Sequence, residues 1–175
     1  WQAIIVEGFN DDAPVTTIHQ PDYTTHSMCT DAYYDGLVNV VLVGEYGDGN
    51  TPKRLWLSKD GGVNWEIIKE TTPHATGATQ SHWHAVHYDR YSARIWAAEG
   101  DDANRALHWS DDFGETWHSI EGVSQPTLIK SFPNCVVFGH DESGENTGLS
   151  VWMRNNDKRN DVVLRRVLTV NEKPS

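Results

Sequence analysis

The stretch Ser58–Trp65 reads Ser-Lys-Asp-Gly-Gly-Val-Asn-Trp, and Ser110–Trp117 reads Ser-Asp-Asp-Phe-Gly-Glu-Thr-Trp. Both stretches follow the pattern S-x-D-x-G-x-(T/N)-W with identical spacing. The pattern suits a tight hairpin, because the Asp can accept bonds from its own turn, Gly permits a positive φ, and Trp can pack beneath. It predicts two equivalent turns, which we name the first turn (Ser58–Trp65) and the second turn (Ser110–Trp117).

The match between the two stretches extends upstream. Tyr34–Asp35 precedes Glu45 by the same spacing at which Tyr88–Asp89 precedes Glu99. After each Glu comes a polar, Gly-rich stretch and then a short apolar segment that leads into the turn. Agreement at so many fixed offsets indicates an internal repeat of about 50 residues, the sequence signature of a repeat architecture.

Both ends of the chain fit the same repeat. We interpret Trp1 as the last residue of another such turn, so the chain is expected to be a fragment of a longer protein. A third unit follows the second turn; its His140 takes the position of Glu45 and Glu99, and its own turn has degenerated near Met153–Asp157. The expected divisions of a single domain over 1–175 are an outer strand in 1–16 and repeat units in 17–70, 71–123 and 124–175.

Each unit is expected to contain four strands, with the turn between the third and the fourth. In the second unit these strands are predicted at 83–88, 94–98, 106–109 and 116–120. The predicted fold is therefore all-β: a β-propeller of four-stranded antiparallel blades, present as about three blades plus one outer strand. Three blades leave two side faces open, so either further blades complete the ring or two copies associate to close it.

The repeated pattern resembles the Asp-box, or BNR, repeat of sialidases and related propellers. Under this resemblance the structural residues are Ser58, Asp60, Gly62, Trp65, Ser110, Asp112, Gly114 and Trp117. Asp boxes also occur in xyloglucan-degrading glycosidases, sorting receptors, photosystem assembly factors and phage proteins, so the motif indicates the fold rather than the activity. The sialidase arginine triad does not map onto the arginines of this chain, and no Arg-Ile-Pro motif is present.

The net charge of −11 argues against nucleic acid or an anionic membrane as a partner. No apolar run approaches the ~20 residues that span a bilayer. Cys29 and Cys135 are expected to be free thiols, and no zinc-finger spacing of cysteines is present. An extracellular or secreted location is expected, with a phage virion as the alternative.

The segment His82-Trp83-His84 is the sharpest candidate for chemistry. Residues two apart in a strand point to the same side, so both imidazoles are expected to face one way at the start of an inner strand. With Glu99 from the adjacent strand, they are predicted either to act as catalytic groups or to hold a divalent metal through His82 and His84. The alternative is a structural role, in which the histidines hydrogen-bond across inner strands.

Propellers bind ligands on the face opposite the Asp-box turns. On that face the expected substrate-binding residues are His26, Glu45, Asp101, Asp102, Arg105 and His140. Glu99 with Asp101 or Asp102 could supply the carboxylate pair that a glycosidase requires, although Gly-Asp-Asp is also an ordinary turn sequence. His87 and His108 are expected to be structural.

Two functions are expected from these residues, both directed at carbohydrate. The first is a carbohydrate-active enzyme, either a glycosidase or a polysaccharide lyase, with a divalent metal as the candidate cofactor. The second is a non-catalytic propeller that binds glycans, as in adhesion or in a virion. An assembly scaffold, in which the open side faces are interfaces, is a third alternative.

Overall fold

A computed structural model describes residues 24–47, 51–71, 82–101, 105–121, 123, 125–141, 148–154 and 164–168. Within these ranges the chain forms twelve strands and no helix. The strands are β1 (Thr24–Tyr34), β2 (Asn39–Tyr46), β3 (Arg54–Ser58), β4 (Glu66–Glu70), β5 (His82–Asp89), β6 (Arg94–Gly100), β7 (Ala106–Ser110), β8 (His118–Glu121), β9 (Pro126–Ser131), β10 (Cys135–His140), β11 (Gly148–Met153) and β12 (Arg165–Leu168). The strand expected in 1–16 lies outside the described residues, as does most of the degenerate third turn.

The twelve strands form three antiparallel sheets of four. The first sheet is ordered β1-β2-β3-β4, the second β5-β6-β7-β8 and the third β9-β10-β11-β12, so each strand pairs with its neighbour in the chain. The predicted all-β class is confirmed, with three four-stranded antiparallel sheets among the described residues. Because each sheet is a simple meander, β1, β5 and β9 are equivalent edge strands.

The strands of the second sheet lie close to their predicted positions. The largest differences are of two residues: β6 ends at Gly100 rather than at Ala98, and β8 begins at His118 rather than at Thr116. The Thr116 backbone N–H donates to Asp112 Oδ1 at 2.9 Å, which keeps Thr116 in the turn and out of the β7–β8 ladder.

Neighbouring sheets pack against each other through two apolar clusters. One cluster joins the first sheet to the second and is centred on the fully buried Trp83. The other joins the second sheet to the third, where the Trp96 ring meets Phe138 and Trp152 edge-on at centroid distances of 5.3 and 5.4 Å. The sheets therefore pack in chain order, with bulky side chains between them.

The first turn is held by its own side chains. Ser58 Oγ accepts the Gly62 backbone N–H at 2.8 Å, and Asp60 Oδ1 accepts the Asn64 backbone N–H at 2.8 Å. The Trp65 indole N–H donates to the Gly62 carbonyl at 2.8 Å. These bonds assign to Ser, Asp, Gly and Trp the structural roles expected from the pattern.

The second turn repeats this arrangement. Ser110 Oγ accepts the Gly114 backbone N–H at 2.8 Å, and the Trp117 indole N–H donates to the Gly114 carbonyl at 3.0 Å. Asp112 accepts both the backbone N–H and the hydroxyl of Thr116, as Asp60 accepts both nitrogens of Asn64. The two turns are therefore equivalent in structure.

Among the described residues there is no helix with the length and apolarity of a membrane span. Within the part of the chain that the structure describes, neither Cys29 nor Cys135 is in a disulfide bond, as expected, and the Cys29 thiol donates to the Trp83 carbonyl at 2.6 Å.

Candidate functional site

His82 and His84 lie together at the start of β5. Their Nε2 atoms are 2.7 Å apart, and both side chains are buried. The pairing of β5 with β6 shifts between Trp83 and Ala85, so His84 occupies a β-bulge. The prediction that the two imidazoles face the same way is confirmed.

Asp101 is the third member of this cluster. Its Oδ1 lies 3.1 Å from His84 Nε2, and its Oδ2 lies 3.6 Å from His82 Nε2. One ligand atom from each of the three residues lies within 4.8 Å of the others, as in a metal-binding triad. Asp101 follows β6 directly, so the end of this strand brings the carboxylate to the beginning of β5. We call His82, His84 and Asp101 the histidine cluster.

His84 Nε2 has more polar neighbours than one ring nitrogen can bond. His82 Nε2, Asp101 Oδ1 and Gln125 Nε2 lie 2.7, 3.1 and 3.4 Å away. A ring nitrogen carries one proton or one lone pair, so it makes one such bond at a time. A tetrahedral metal with bonds near 2.0–2.1 Å keeps its ligand atoms roughly 3.3 Å apart, close to the spacing found here.

Burial controls the charge of His84. It lowers the pKa of this imidazole to about 4, against the opposing effect of the nearby Asp101 carboxylate, while His82 lowers the pKa further. The imidazole is therefore neutral at neutral pH. Neutral imidazole is the form that binds metal ions.

Three neighbouring residues shape the space around the cluster. A Cβ on Gly100 would lie only 2.4 Å from the His84 ring, so this position requires glycine for the ring to rest on the backbone. The Tyr46 ring packs on His82 with centroids 4.1 Å apart. Gln125 donates to Asp101 and thereby orients its carboxylate. Neither Tyr46 nor Gln125 was predicted, because no local pattern marks them.

Glu99 does not join the histidine cluster as expected. In the β5–β6 pairing it lies opposite Trp83, whose side chain points to the other side of the strand from His82. The Glu99 carboxylate instead bonds His108 Nε2 at 3.0 Å, and both side chains are buried. Strand parity thus separates Glu99 from the two histidines, and Asp101 takes the position that we had expected for Glu99.

Glu45 and His140 have the same structural role as Glu99 in their own sheets. Glu45 Oε1 accepts the Trp56 indole N–H at 3.2 Å, and His140 Nε2 bonds Ser150 Oγ at 2.8 Å. In each sheet the bond joins the end of the second strand to the third strand, and all three residues at this repeat position are buried. They link neighbouring strands, whereas we had expected Glu45 and His140 to bind substrate and Glu99 to be catalytic.

The remaining candidates are only partly described. Arg105 is half-buried and directly precedes β7. His26 belongs to β1, but its side chain lies outside the described part of the structure, as does the whole of Asp102. Of the predicted site residues, the structure therefore brings together His82, His84 and Asp101.

Comparison of the chain with protein-family models, with curated proteins and with solved structures finds no match.

Proposed function

We propose that this chain forms three successive blades of an Asp-box β-propeller directed at glycans. Support comes from three four-stranded meanders that pack in chain order and from the two turns with matching hydrogen bonds. A ring needs more than three blades, so further blades or a second copy complete it. The mass in solution separates these alternatives, since self-closure requires a dimer.

The histidine cluster is the centre of the proposed site, and its convergent geometry is the observation that carries the proposal. Two imidazoles and one carboxylate suit Zn²⁺ or a similar transition metal, whereas Ca²⁺ and Mg²⁺ prefer oxygen ligands alone. Three protein ligands leave a fourth position open, as in zinc sites that bind substrate. A metal held here therefore keeps a position for an incoming ligand.

The proposed ligand is an acidic glycan whose carboxylate binds the metal. The chain has a net charge of −11, which repels anionic polymers. A bound divalent cation reverses this repulsion locally and selects uronate-containing glycans over neutral ones. The same cation would withdraw charge from the carboxylate and acidify the adjacent C–H, which is the chemistry of a polysaccharide lyase. A glycosidase is less favoured, since the buried Glu99 carboxylate bonds His108.

Non-catalytic binding is the second candidate. Non-catalytic binding is favoured because both histidines of the histidine cluster would bind the metal, so neither imidazole would be available as a base. The site then holds an acidic glycan without breaking it. Product formation distinguishes the two functions, because elimination creates an unsaturated sugar that absorbs ultraviolet light.

Calorimetry with Zn²⁺, together with the visible spectrum of bound Co²⁺, tests the metal site. The unmodified chain is expected to bind one metal ion. His84→Ala and Asp101→Asn should each weaken binding by about a hundredfold or more, since even residues that only support metal ligands contribute 10–100-fold. His118→Ala, at an exposed histidine, is the matched control and should bind normally. Unchanged affinity in His84→Ala would contradict the proposal.

Binding assays with polygalacturonate and with uncharged dextran test the ligand. We expect saturable binding of polygalacturonate that a chelator abolishes and Zn²⁺ restores, with little binding of dextran. Binding of polygalacturonate that survives chelation would show that the metal is not the centre of the site. Ultraviolet absorbance during the same incubation reports whether the polymer is cleaved.

A further inference from the structure

A second polar cluster crosses the edge strands of all three sheets, beyond the histidine cluster. Asp31 in β1 bonds His87 in β5, with Oδ2 and Nδ1 2.8 Å apart. The other ring nitrogen of His87, Nε2, lies 2.8 Å from Ser131 Oγ in β9. We call Asp31, His87 and Ser131 the serine cluster. Its members come from three different sheets and form one continuous chain of hydrogen bonds.

The order of donors and acceptors in this series of hydrogen bonds determines where the protons lie. Asp31 Oδ2 also accepts the Tyr88 backbone N–H at 2.8 Å, so the carboxylate is held on the strand that carries His87. A carboxylate is an acceptor, so the His87 proton is assigned to Nδ1 and the lone pair to Nε2. Ser131 then donates its hydroxyl proton to Nε2. This is the arrangement in which an imidazole activates a serine hydroxyl.

We propose that the serine cluster is a hydrolytic site, with Ser131 as nucleophile, His87 as general base and Asp31 as positioning residue, and that it acts on esters of short carboxylic acids. This activity is separate from the proposed metal site and does not depend on it.

A cavity beside the cluster limits the substrate. It has a volume of about 180 Å³ and is lined by Asp31 and His87 together with Thr30, Val86, Thr127 and Lys130. Pockets for drug-sized ligands are roughly 300–1,000 Å³, so this cavity suits a short acyl group. Asp31 and His87 themselves line the cavity, and Ser131 directly follows Lys130, another of its lining residues.

A backbone donor for the reacting oxygen accompanies the hydroxyl. Phe132 and Cys135 exchange both of their backbone hydrogen bonds, at 2.8 and 3.3 Å. Hydrogen-bonded and non-hydrogen-bonded residue pairs alternate along an antiparallel ladder. Ser131 lies opposite Val136 in the next pair, which is not hydrogen-bonded, so its N–H points away from β10. Because β9 is the edge strand of the third sheet, this N–H faces outward from the sheet. It is available to stabilise the oxyanion that forms when Ser131 Oγ attacks a carbonyl.

The proposed reaction balances without any co-reactant other than water. Ser131 Oγ attacks the acyl carbon as its proton moves to His87 Nε2, and collapse of the tetrahedral intermediate breaks the ester C–O bond. The leaving alcohol takes that proton, and the acyl group remains on Ser131. Water then attacks the acyl-serine, gives a proton to His87 and releases the carboxylic acid as the proton returns to Ser131. Asp31 stays ionised throughout.

The chain provides a matched control serine. Ser150 Oγ also lies 2.8 Å from a histidine Nε2, that of His140, but this pair is buried between two strands of one sheet. A fluorophosphonate probe should therefore label Ser131 and not Ser150. Mass spectrometry of the digested 175-residue chain locates the label. Absence of label at Ser131 in the folded chain would overturn the proposal.

Hydrolysis of p-nitrophenyl acetate measures turnover. Ser131→Ala and His87→Gln should each lower the rate by about 10²–10⁴-fold, the usual contribution of a positioned base and its nucleophile. Ser150→Ala should match the unmodified chain. An unchanged rate in Ser131→Ala would show that the hydrolysis comes from other groups.

Asp31→Asn separates catalysis from a purely structural bridge between strands. An amide keeps the shape of the side chain and can hydrogen-bond His87, so a structural bridge survives with an unchanged unfolding midpoint. A hydrolytic site loses turnover, because the amide no longer favours the imidazolium that forms in the transition state. If the Asp31→Asn variant folds and still hydrolyses the ester at the full rate, the role of Asp31 as a positioning residue is wrong.

Discussion

The first and second turns have the same internal hydrogen bonds, but they differ in what lies against them. The Trp117 indole N–H also donates to the Ile68 carbonyl of β4 at 2.9 Å, so the second turn packs on the outer strand of the first sheet. At the first turn, Trp65 lies beside a cavity of about 320 Å³. Among the described residues, both turns form their hairpins from local bonds, and the second turn also packs against a neighbouring sheet.

Substitution of the second residue of each turn should give the largest difference between the turns in unfolding free energy. Asp111 accepts two bonds, at 2.7 and 2.9 Å, from the fully buried Arg94 guanidinium, whereas Lys59 pairs with Glu66 at the surface. Asp111→Ala should cost about 3 kcal/mol of unfolding free energy, the lower end for a broken buried ion pair, since Asp111 is partly exposed. Lys59→Ala should cost less than about 1 kcal/mol. Guanidinium unfolding checks both, and similar losses would contradict the distinction.

Substitution of a glycine in each turn should give a smaller difference in unfolding free energy. Gly62 and Gly114 have φ of +94° and +96°, so alanine is strained at both. At Gly114 the new Cβ would also lie 2.6 Å from Ile68 Cβ, whereas at Gly62 the nearest atom, in Trp65, is 3.6 Å away. Gly114→Ala should therefore cost about 2 kcal/mol or more and Gly62→Ala about 1 kcal/mol. Equal shifts in urea midpoint would show that the second turn does not pack on β4.

The smallest expected effect is on the titration of the turn aspartates, whose pKa values should be lowered in both turns. Bonds from the Thr116 hydroxyl and backbone and from the Ser110 hydroxyl hold the pKa of Asp112 at about 2. Burial raises the pKa of Asp60, but the bonds from Asn64, Ser58 and Val63 together outweigh this effect, so its pKa is also lowered. The carboxylate of Asp112 thus stabilises the fold fully above pH 3.8, its ordinary pKa, and this contribution is lost as the pH falls towards 2.

Carbon-13 NMR of the side-chain carboxyls measures these pKa values directly. Both turn aspartates are expected to titrate below the ordinary value. Thr116→Val removes the hydroxyl bond and should raise the pKa of Asp112 towards it, while leaving Asp60 unchanged. An ordinary pKa for Asp112 in the unmodified chain would contradict the bonding described for the second turn.

Much of the fold was predictable, but less of the candidate site. The repeat predicted three units of four strands, because turn residues at fixed offsets mark where strands end. His82 and His84 were also predictable as a pair, from strand alternation alone. The sequence did not predict that Asp101, rather than Glu99, contacts the two histidines. Which carboxylate reaches them depends on how β6 pairs with β5 and on the bulge at His84.

The sequence by itself determined the two turns and the order of the strands, since these depend on bonds between residues a few positions apart. Only the tertiary structure decided which polar groups meet. It buried Glu99 against His108, and it joined Asp31, His87 and Ser131 across three sheets. The physical reason is that contacts between sheets depend on the register and packing of strands far apart in the chain, which no local pattern encodes.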